Sequence, residues 1–195
     1  GHGSSQNSKI DDYCIGDLAQ DALQVLNDVA ADQTVIIGHA LGGMVAQHLA
    51  AHHQDRTAAI VLSSTTCFAP DPESLIPLIE DSIRLGSVSP LDREATQAPQ
   101  YSVPVDADTA WGYGQAIMAL PRYDLQLHEF PSSALVIYGN RDSENIIAGS
   151  KHLIAALPDC RESIIVGAGH IPQVTHSEAY SEALSDFLRD TCKED

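Results

Sequence analysis

The sequence predicts an α/β fold whose centre is a mostly parallel β-sheet flanked by helices. Four short runs rich in β-branched residues show no alternation of polar and apolar side chains, and they cover residues 34–38, 58–63, 134–139 and 163–167. Strands of this kind are buried on both faces, as in a parallel sheet that helices cover on each side. Helical patterns between and around the runs support the same class, because strands that alternate with helices form βαβ units.

Three helices are predicted beside these strands. The first is expected to have Asp17 as its N-cap, the second to end before Pro158, and the third to have Ser177 as its N-cap. Each pattern repeats apolar residues three or four positions apart, which marks the buried face of a helix. The positions are Leu18, Ala22, Val25, Leu26 and Val29; Ile147, Ser150, Ile154 and Leu157; and Tyr180, Ala183, Leu184, Phe187 and Leu188.

Residues 66–130 interrupt this alternation. Seven of the ten prolines lie between Pro70 and Pro121, and the segment holds the only tryptophan, Trp111. A loop of this length without structure of its own is uncommon in a compact domain, so we expect an insertion with short helices. One helix is expected to open at residues 71–72, with Leu75, Ile76, Ile79 and Ile83 buried, and another to span about 106–120. The predicted core is therefore residues 1–65 and 131–195, and residues 66–130 are the insertion.

Composition and charge exclude several classes of function. The chain has 195 residues, with 10 Lys and Arg against 27 Asp and Glu, which gives a net charge of −17. Such an acidic protein is a poor ligand for nucleic acid or for an anionic membrane surface. Four scattered cysteines form no C-x-x-C pair, which argues against a zinc or redox site and favours reduced thiols in a cytoplasmic protein. His48 and His52 lie at i,i+4 but lack the acidic partner of a metalloprotease motif, so we assign them to the helix surface and predict no metal.

The most informative segment is Gly38-His39-Ala40-Leu41-Gly42, which follows a predicted buried strand and opens a predicted helix. It resembles the nucleophile elbow of the α/β-hydrolase family, G-x-S-x-G, in all but its central residue. In that motif the central residue sits on a strained turn between strand and helix, and the flanking glycines let neighbouring backbone pass close by. The resemblance implies a capped, esterase- or lipase-like serine hydrolase.

Ala40 stands where the family carries its nucleophile, and a methyl group cannot attack a carbonyl carbon. Two explanations remain open: an engineered Ser→Ala replacement that traps a ligand, or a natural non-catalytic member that binds a small hydrophobic ligand. The other elbow residues match an active member, which favours the replacement. As written, the chain should be inactive.

The same resemblance implies the rest of a catalytic triad, which follows the elbow in the order acid, then histidine. Gly139-Asn140-Arg141-Asp142 resembles the acid turn, and Gly167-Ala168-Gly169-His170 resembles the histidine loop. His170 would act as general base and acid, with Asp142 holding its tautomer. The backbone N–H of Leu41 would form half of the oxyanion hole.

The insertion at residues 66–130 takes the place of the family's cap, which covers the nucleophile and shapes the substrate pocket. The expected substrate is a small carboxylic ester, lactone or thioester, and no cofactor is implied. The residues assigned to substrate binding are His39, Phe68, Trp111, Tyr113 and Met118, although the cap residues could equally form the cap's own small core.

The first residues, Gly1-His2-Gly3-Ser4-Ser5, resemble the family's G-x-G-x-S stretch, which follows the fourth strand. The resemblance therefore begins partway through the fold, and the early strands are expected in another segment or partner chain. Without them the elbow strand has an open edge, which favours pairing with a second copy. We expect residues 1–195 alone not to form a stable monomer.

Overall fold

The protein is described by a computed structural model over residues 14–70, 72–73, 75–77, 80, 107–119 and 126–191. Within these residues, four parallel strands form one sheet in the order β1-β2-β3-β4. Residues 72–73, 75–77 and 80 are also helical. The elements are α1 (Ile15–Asp28), β1 (Thr34–His39), α2 (Leu41–His52), a 3-10 turn (Gln54–Arg56), β2 (Thr57–Ser63), α3 (Ala107–Met118), a 3-10 turn (Leu127–Glu129), β3 (Ala134–Gly139), α4 (Glu144–Ala156), β4 (Cys160–Ile165), α5 (Pro172–Thr175) and α6 (Ser177–Thr191).

The two central strands are buried on both faces, as predicted. Ile60 and Leu62 of β2 pack in one cluster with residues of α2 and α4, whereas Val61 packs on the opposite face with Tyr180 and Phe187 of α6. Successive residues of a strand point to opposite faces, so an entirely apolar run is what a sheet covered on both sides requires. The predicted fold class is confirmed.

The outer strands differ from the prediction, because each is covered less than a central strand. In β1, Ile37 is 49% exposed, and in β4, Ile164 is 46% exposed. β4 runs from Cys160 to Ile165, so the predicted span of 163–167 is wrong at both ends. A strand at the edge of the described sheet can carry polar residues, and the apolar run therefore did not mark where β4 begins.

The polar start of β4 is held by a hydrogen bond across the sheet. Tyr138 of β3 donates its hydroxyl to Glu162 Oε1 at 2.8 Å. Burial and the neighbouring carboxylate raise the pKa of Tyr138 to about 12, so it remains a donor throughout the physiological range. Glu162 itself is exposed at the edge of the described sheet, so this bond adds to a position where a charged side chain already reaches solvent.

The ends of two helices correct the predicted N-caps. α1 begins after Cys14, and Asp17 is the third helical residue, whose carboxylate accepts the Cys14 N–H at 3.1 Å. The helix starts earlier because Ile15 is apolar and buried, so the first turn belongs to the packed face. Ser177 is likewise the first residue of α6 and not its N-cap. α4 ends before Pro158 as predicted, and Ser143 caps its start.

The described part of residues 66–130 is helical at both places where the sequence predicts a helix. Residues 72–73, 75–77 and 80 are helical, with Leu75 buried and Ile76 half-buried. α3 falls inside the expected span of 106–120, and its Ala116 packs against Ile15 and Met44. Asp71, Ile79, Ile83 and Leu120 lie outside the described residues. The division into a core and a cap stays a prediction.

Within the described ranges, no helix is long and apolar enough to cross a bilayer, and no three metal-binding side chains cluster. Cys14 and Cys160 are free thiols, while Cys192 lies outside the described residues. The His48 and His52 rings lie 4.5 Å apart on α2. β1 is at one edge of the described sheet, and its pairing with another segment or copy stays a prediction.

Candidate active site

The turn between β1 and α2 has the strained geometry expected of a nucleophile elbow. Ala40 adopts φ 49° and ψ −116°, a backbone region that residues other than glycine rarely occupy. Its N–H donates to the Ser63 carbonyl at 3.0 Å, and its own carbonyl accepts from Thr65 Oγ1 at 2.7 Å and from the Gly43 N–H at 3.0 Å. Backbone strain of this kind costs of order 1–3 kcal/mol and persists only where the surroundings hold it. The end of β2 supplies that hold.

The glycines around Ala40 have different reasons to be glycine. A Cβ at Gly38 would lie 2.2 Å from the Gly42 carbonyl oxygen, so Gly38 is required where strand and helix cross. A Cβ at Gly42 would meet nothing within 4 Å among the described residues. The expectation that both glycines admit neighbouring backbone therefore holds for Gly38. Gly42 takes part in the crossing through its main-chain carbonyl, and its own lack of a side chain is not needed for it. Gly43 is also required, because its Cβ would lie 2.5 Å from Thr65 Cβ.

Asp142 and His170 are paired in the interior. His170 Nδ1 lies 3.1 Å from both carboxylate oxygens of Asp142, and the two side chains are 6% and 1% exposed. Asp142 Oδ1 also accepts the Ser143 N–H at 2.7 Å. Because an ionised carboxylate only accepts hydrogen bonds, Nδ1 carries the proton and Nε2 is left as the basic nitrogen. The pair can therefore take a proton from a nucleophile and return it to a leaving group.

The acid turn and the histidine loop form one hydrogen-bonded unit. Arg141 donates its N–H to the Ala168 carbonyl at 2.9 Å, and Gly167 donates its N–H to Asn140 Oδ1 at 2.7 Å. A Cβ at Gly139 would lie 2.2 Å from the Ala168 oxygen, so the two loops pass in direct backbone contact. This contact fixes Asp142 relative to His170.

His39, the last residue of β1, contacts the main chain of His170. The two rings are 5.0 Å apart between centroids, and His39 Nε2 lies 2.8 Å from the His170 carbonyl oxygen. Burial, and then the neighbouring His170, lower the pKa of His39 to about 4, so its ring is neutral at pH 7. The sequence predicts a substrate-binding role for His39, and its described bond is to the chain itself.

The other predicted site residues lie on two helices and in the loop after β2. Leu41 is the first residue of α2, and its N–H has no acceptor inside the helix. The Phe68 ring is 4.9 Å from that of His152, and Trp111 is 38% exposed. Met118 packs against Leu75 and Ala110, which agrees with the alternative that cap residues form a core of their own, and Tyr113 is half-buried. Their part in binding substrate stays a prediction.

Sequence reasoning missed the contribution of Thr65 and of the serines at the end of β2. Thr65 holds the Ala40 carbonyl from 25 positions away, and no local pattern signals a contact over that separation. The buried hydroxyls of Ser63 and Ser64 have no hydrogen-bond partner within the described structure. Ser64 also has a positive φ of 42°, so the end of β2 is strained beside the elbow.

Acidification is expected to destabilise the fold through His39. Its pKa falls from 6.5 to about 4 on folding, so the unfolded chain binds more protons between these values. The stability that neutral His39 contributes is complete above pH 6.5 and is lost as the pH falls toward 4, by up to about 3 kcal/mol. Urea unfolding should be measured at neutral pH and at about pH 4. Between these two pH values, the free energy of unfolding should fall less for His39→Gln, whose side chain does not titrate, than for the parent protein. Equal losses of stability in both proteins would contradict a half-buried, neutral His39.

Comparisons with known proteins agree with this geometry. A family model described as the alpha/beta hydrolase fold matches residues 1–108. A putative carbamate hydrolase, RutD, of Caulobacter segnis is 25% identical over 197 residues, which cover 90% of this chain and 73% of that protein. A thermophilic esterase from Thermogutta terrifontis superposes with a TM-score of 0.82 at 19% identity, over 99% of this chain and 78% of the other. An enol-lactonase from Burkholderia xenovorans gives 0.80 at 24% identity, over 96% and 77%. The family model covers more than half of the sequence, and the chain belongs to the α/β-hydrolase family.

Proposed function

We propose that this site is that of a hydrolase for small carboxylic esters, lactones or thioesters, with Ala40 at the nucleophile position. The observation that carries the proposal is the Asp142–His170 pair, whose Nδ1 is bound to the carboxylate at 3.1 Å while Nε2 is left as the base. Buried ionisable pairs of this kind are expensive unless they are well hydrogen-bonded, and in a site they serve proton transfer. The positive φ at Ala40 supports the same assignment.

With a hydroxyl at position 40, the reaction would follow from the geometry. The hydroxyl oxygen would form a bond to the substrate carbonyl carbon, and its proton would pass to His170 Nε2. The Leu41 N–H would stabilise the negative charge on the carbonyl oxygen. Collapse of the intermediate would expel the leaving group, which takes the proton from His170, and water would then release the acid by the same steps. With Ala40, the first bond cannot form, so the chain would bind substrate without acylation.

The substrate class is supported by the named relatives. Carbamates, esters and enol lactones share a carbonyl carbon bonded to a heteroatom that leaves, and relatives of these three kinds match this chain. A cap formed by residues 66–130 would close the site, with Phe68, Trp111, Tyr113 and Met118 as its apolar lining. The four scattered cysteines, which form no C-x-x-C pair, support a location in the cytoplasm.

A second candidate is a non-catalytic protein that binds a small hydrophobic ligand under the cap. The methyl group of Ala40 favours it, because that side chain has no nucleophilic atom. The Asp142–His170 pair weighs against it, since a protein that only binds has less need of a general base.

A fluorophosphonate probe tests the proposal directly. Such a probe transfers phosphorus to an activated hydroxyl oxygen with loss of fluoride. We expect no labelling of the chain as it stands, and labelling at residue 40 in the Ala40→Ser variant. Adding His170→Ala to that variant should remove the labelling, because the hydroxyl is activated by its base. Absence of labelling in a folded Ala40→Ser protein would favour the binding protein.

A further inference from the structure

We infer that His39 is a positioning residue that holds the main chain of His170 in place, and so sets the general base relative to the elbow. The inference rests on the proposed function for the role of His170, and on the hydrogen bond to the His170 carbonyl for the role of His39. The carbonyl of His170 can only accept a hydrogen bond, so His39 donates through Nε2–H at 2.8 Å. The bond spans 131 positions of the sequence and starts from the residue directly before Ala40.

The histidine loop needs such an anchor because of its composition. Two of its four residues, Gly167 and Gly169, are glycines, and Gly167 has a φ of +87°. Glycine leaves the main chain freer than any other residue does, so this loop does not set its own path. The Arg141 N–H holds the loop at Ala168, from the side of the acid turn. His39 holds it two residues later, from the side of the elbow strand.

The two attachments of His170 have separate effects. Asp142 orients the imidazole through Nδ1, but a ring that is well oriented on a displaced backbone still misses the reacting oxygen. His39 fixes the backbone of the same residue, and β1 carries both His39 and the start of the elbow. His39 therefore links the backbone of the proposed base directly to the strand that leads into the nucleophile position.

The choice of histidine at this position also suits the chemistry of its neighbour. Its ring is 5.0 Å from that of His170, which must become positively charged when it takes a proton. His39 donates a hydrogen bond while staying neutral, so it adds no repulsion to that charge. Lysine or arginine at position 39 would donate as well but would oppose the charged form of His170.

Three substitutions distinguish the hydrogen-bond donor of His39 from the volume that its ring fills. His39→Gln keeps an N–H donor of comparable reach, whereas His39→Phe fills the ring volume without a donor and His39→Leu does so with less bulk. The protein with Ala40 in place is suitable, because the readout is the NMR signal of the His170 Nδ1 proton shared with Asp142. We expect this signal to survive in the Gln variant and to broaden or disappear in the Phe and Leu variants while the fold persists by circular dichroism.

A kinetic comparison in the Ala40→Ser background gives the second readout. Adding His39→Phe should lower kcat roughly 10- to 100-fold with little change in KM, and His39→Gln should restore most of it. An unchanged Nδ1 signal in a folded Phe or Leu variant would overturn the inference. So would unfolding of both, with the Gln variant folded, since that would assign His39 to fold stability alone. A background without any hydrolysis would contradict the proposed function, and the NMR comparison would still decide the role of His39.

Discussion

In a complete fold, replacing Ala40 with serine is expected to give a protein that hydrolyses short activated esters, at a rate roughly 10⁴- to 10⁶-fold above that of the same protein with Ala40. The substitution adds one oxygen to a turn that already has φ 49°, and the residue before that turn, His39, is bonded to the main chain of His170, the proposed base. No backbone rearrangement is required, because the end of β2 holds the turn at the Ala40 N–H and carbonyl. Initial rates with a p-nitrophenyl ester measure the effect.

Two matched variants show whether the hydroxyl is the cause. Ala40→Gly relieves the positive φ without adding a nucleophile, so it should stay as slow as the parent. His170→Ala combined with Ala40→Ser should lose most of the gained activity, because nucleophile and base act as a unit. A folded Ala40→Ser protein that is inactive on esters, lactones and thioesters would refute the enzyme and leave the ligand-binding protein.

Gly38→Ala is expected to be among the most destabilising single changes in the chain, whereas Gly42→Ala, four residues away, should be tolerated. The added Cβ at Gly38 would lie 2.2 Å from the Gly42 carbonyl oxygen and 2.6 Å from the Gly43 nitrogen, both backbone atoms that cannot rotate away. Overpacking against backbone at a buried crossing should lower the free energy of unfolding by roughly 3 kcal/mol or more. At Gly42 no described atom lies within 4 Å of the added Cβ, and alanine favours the helix by up to about 1 kcal/mol.

Urea denaturation of the two variants gives the comparison in a single assay. The expected order of stability is Gly42→Ala at or above the parent, and Gly38→Ala far below it. Equal stability of the two would mean that the helix can move away from the strand at Gly38, and the packing argument for the elbow would fail. A large loss at Gly42 would show that another part of the chain fills the space next to it.

Local sequence patterns predicted those parts of the structure that depend on a single segment of the chain. The buried strands β2 and β3, helix α4 and the order of Ala40, Asp142 and His170 could all be read in this way, since each depends on neighbours in the chain. β4 could not, because only the folded chain shows that its polar first residues lie at the exposed edge of the described sheet. The same holds for the bond from His39 to His170, which no spacing in the sequence announces.

The sequence predicted which residues form the candidate site. It did not predict the contacts that hold those residues in place. Asp142 and His170 lie together because Gly139 lets the two loops touch, and the Cβ test at Gly139 explains that glycine better than its place in a motif does. The role of Thr65 could not be predicted from the sequence. A hydroxyl after a strand is ordinary in any sequence, and only the folded chain brings it to the Ala40 carbonyl.

The retained turn at Ala40 also bears on how easily such a site can change by mutation. Alanine and serine codons of the GCN and TCN sets differ at their first base alone, so a single nucleotide substitution would place a hydroxyl on a backbone that is already bent for it. The route is equally short in the reverse direction. Loss of Gly38 or Gly139 would damage the scaffold itself, because a Cβ at either position would collide with backbone atoms. A single mutation can therefore add or remove the nucleophile without damaging the backbone of this site, whereas substitution of Gly38 or Gly139 would damage it.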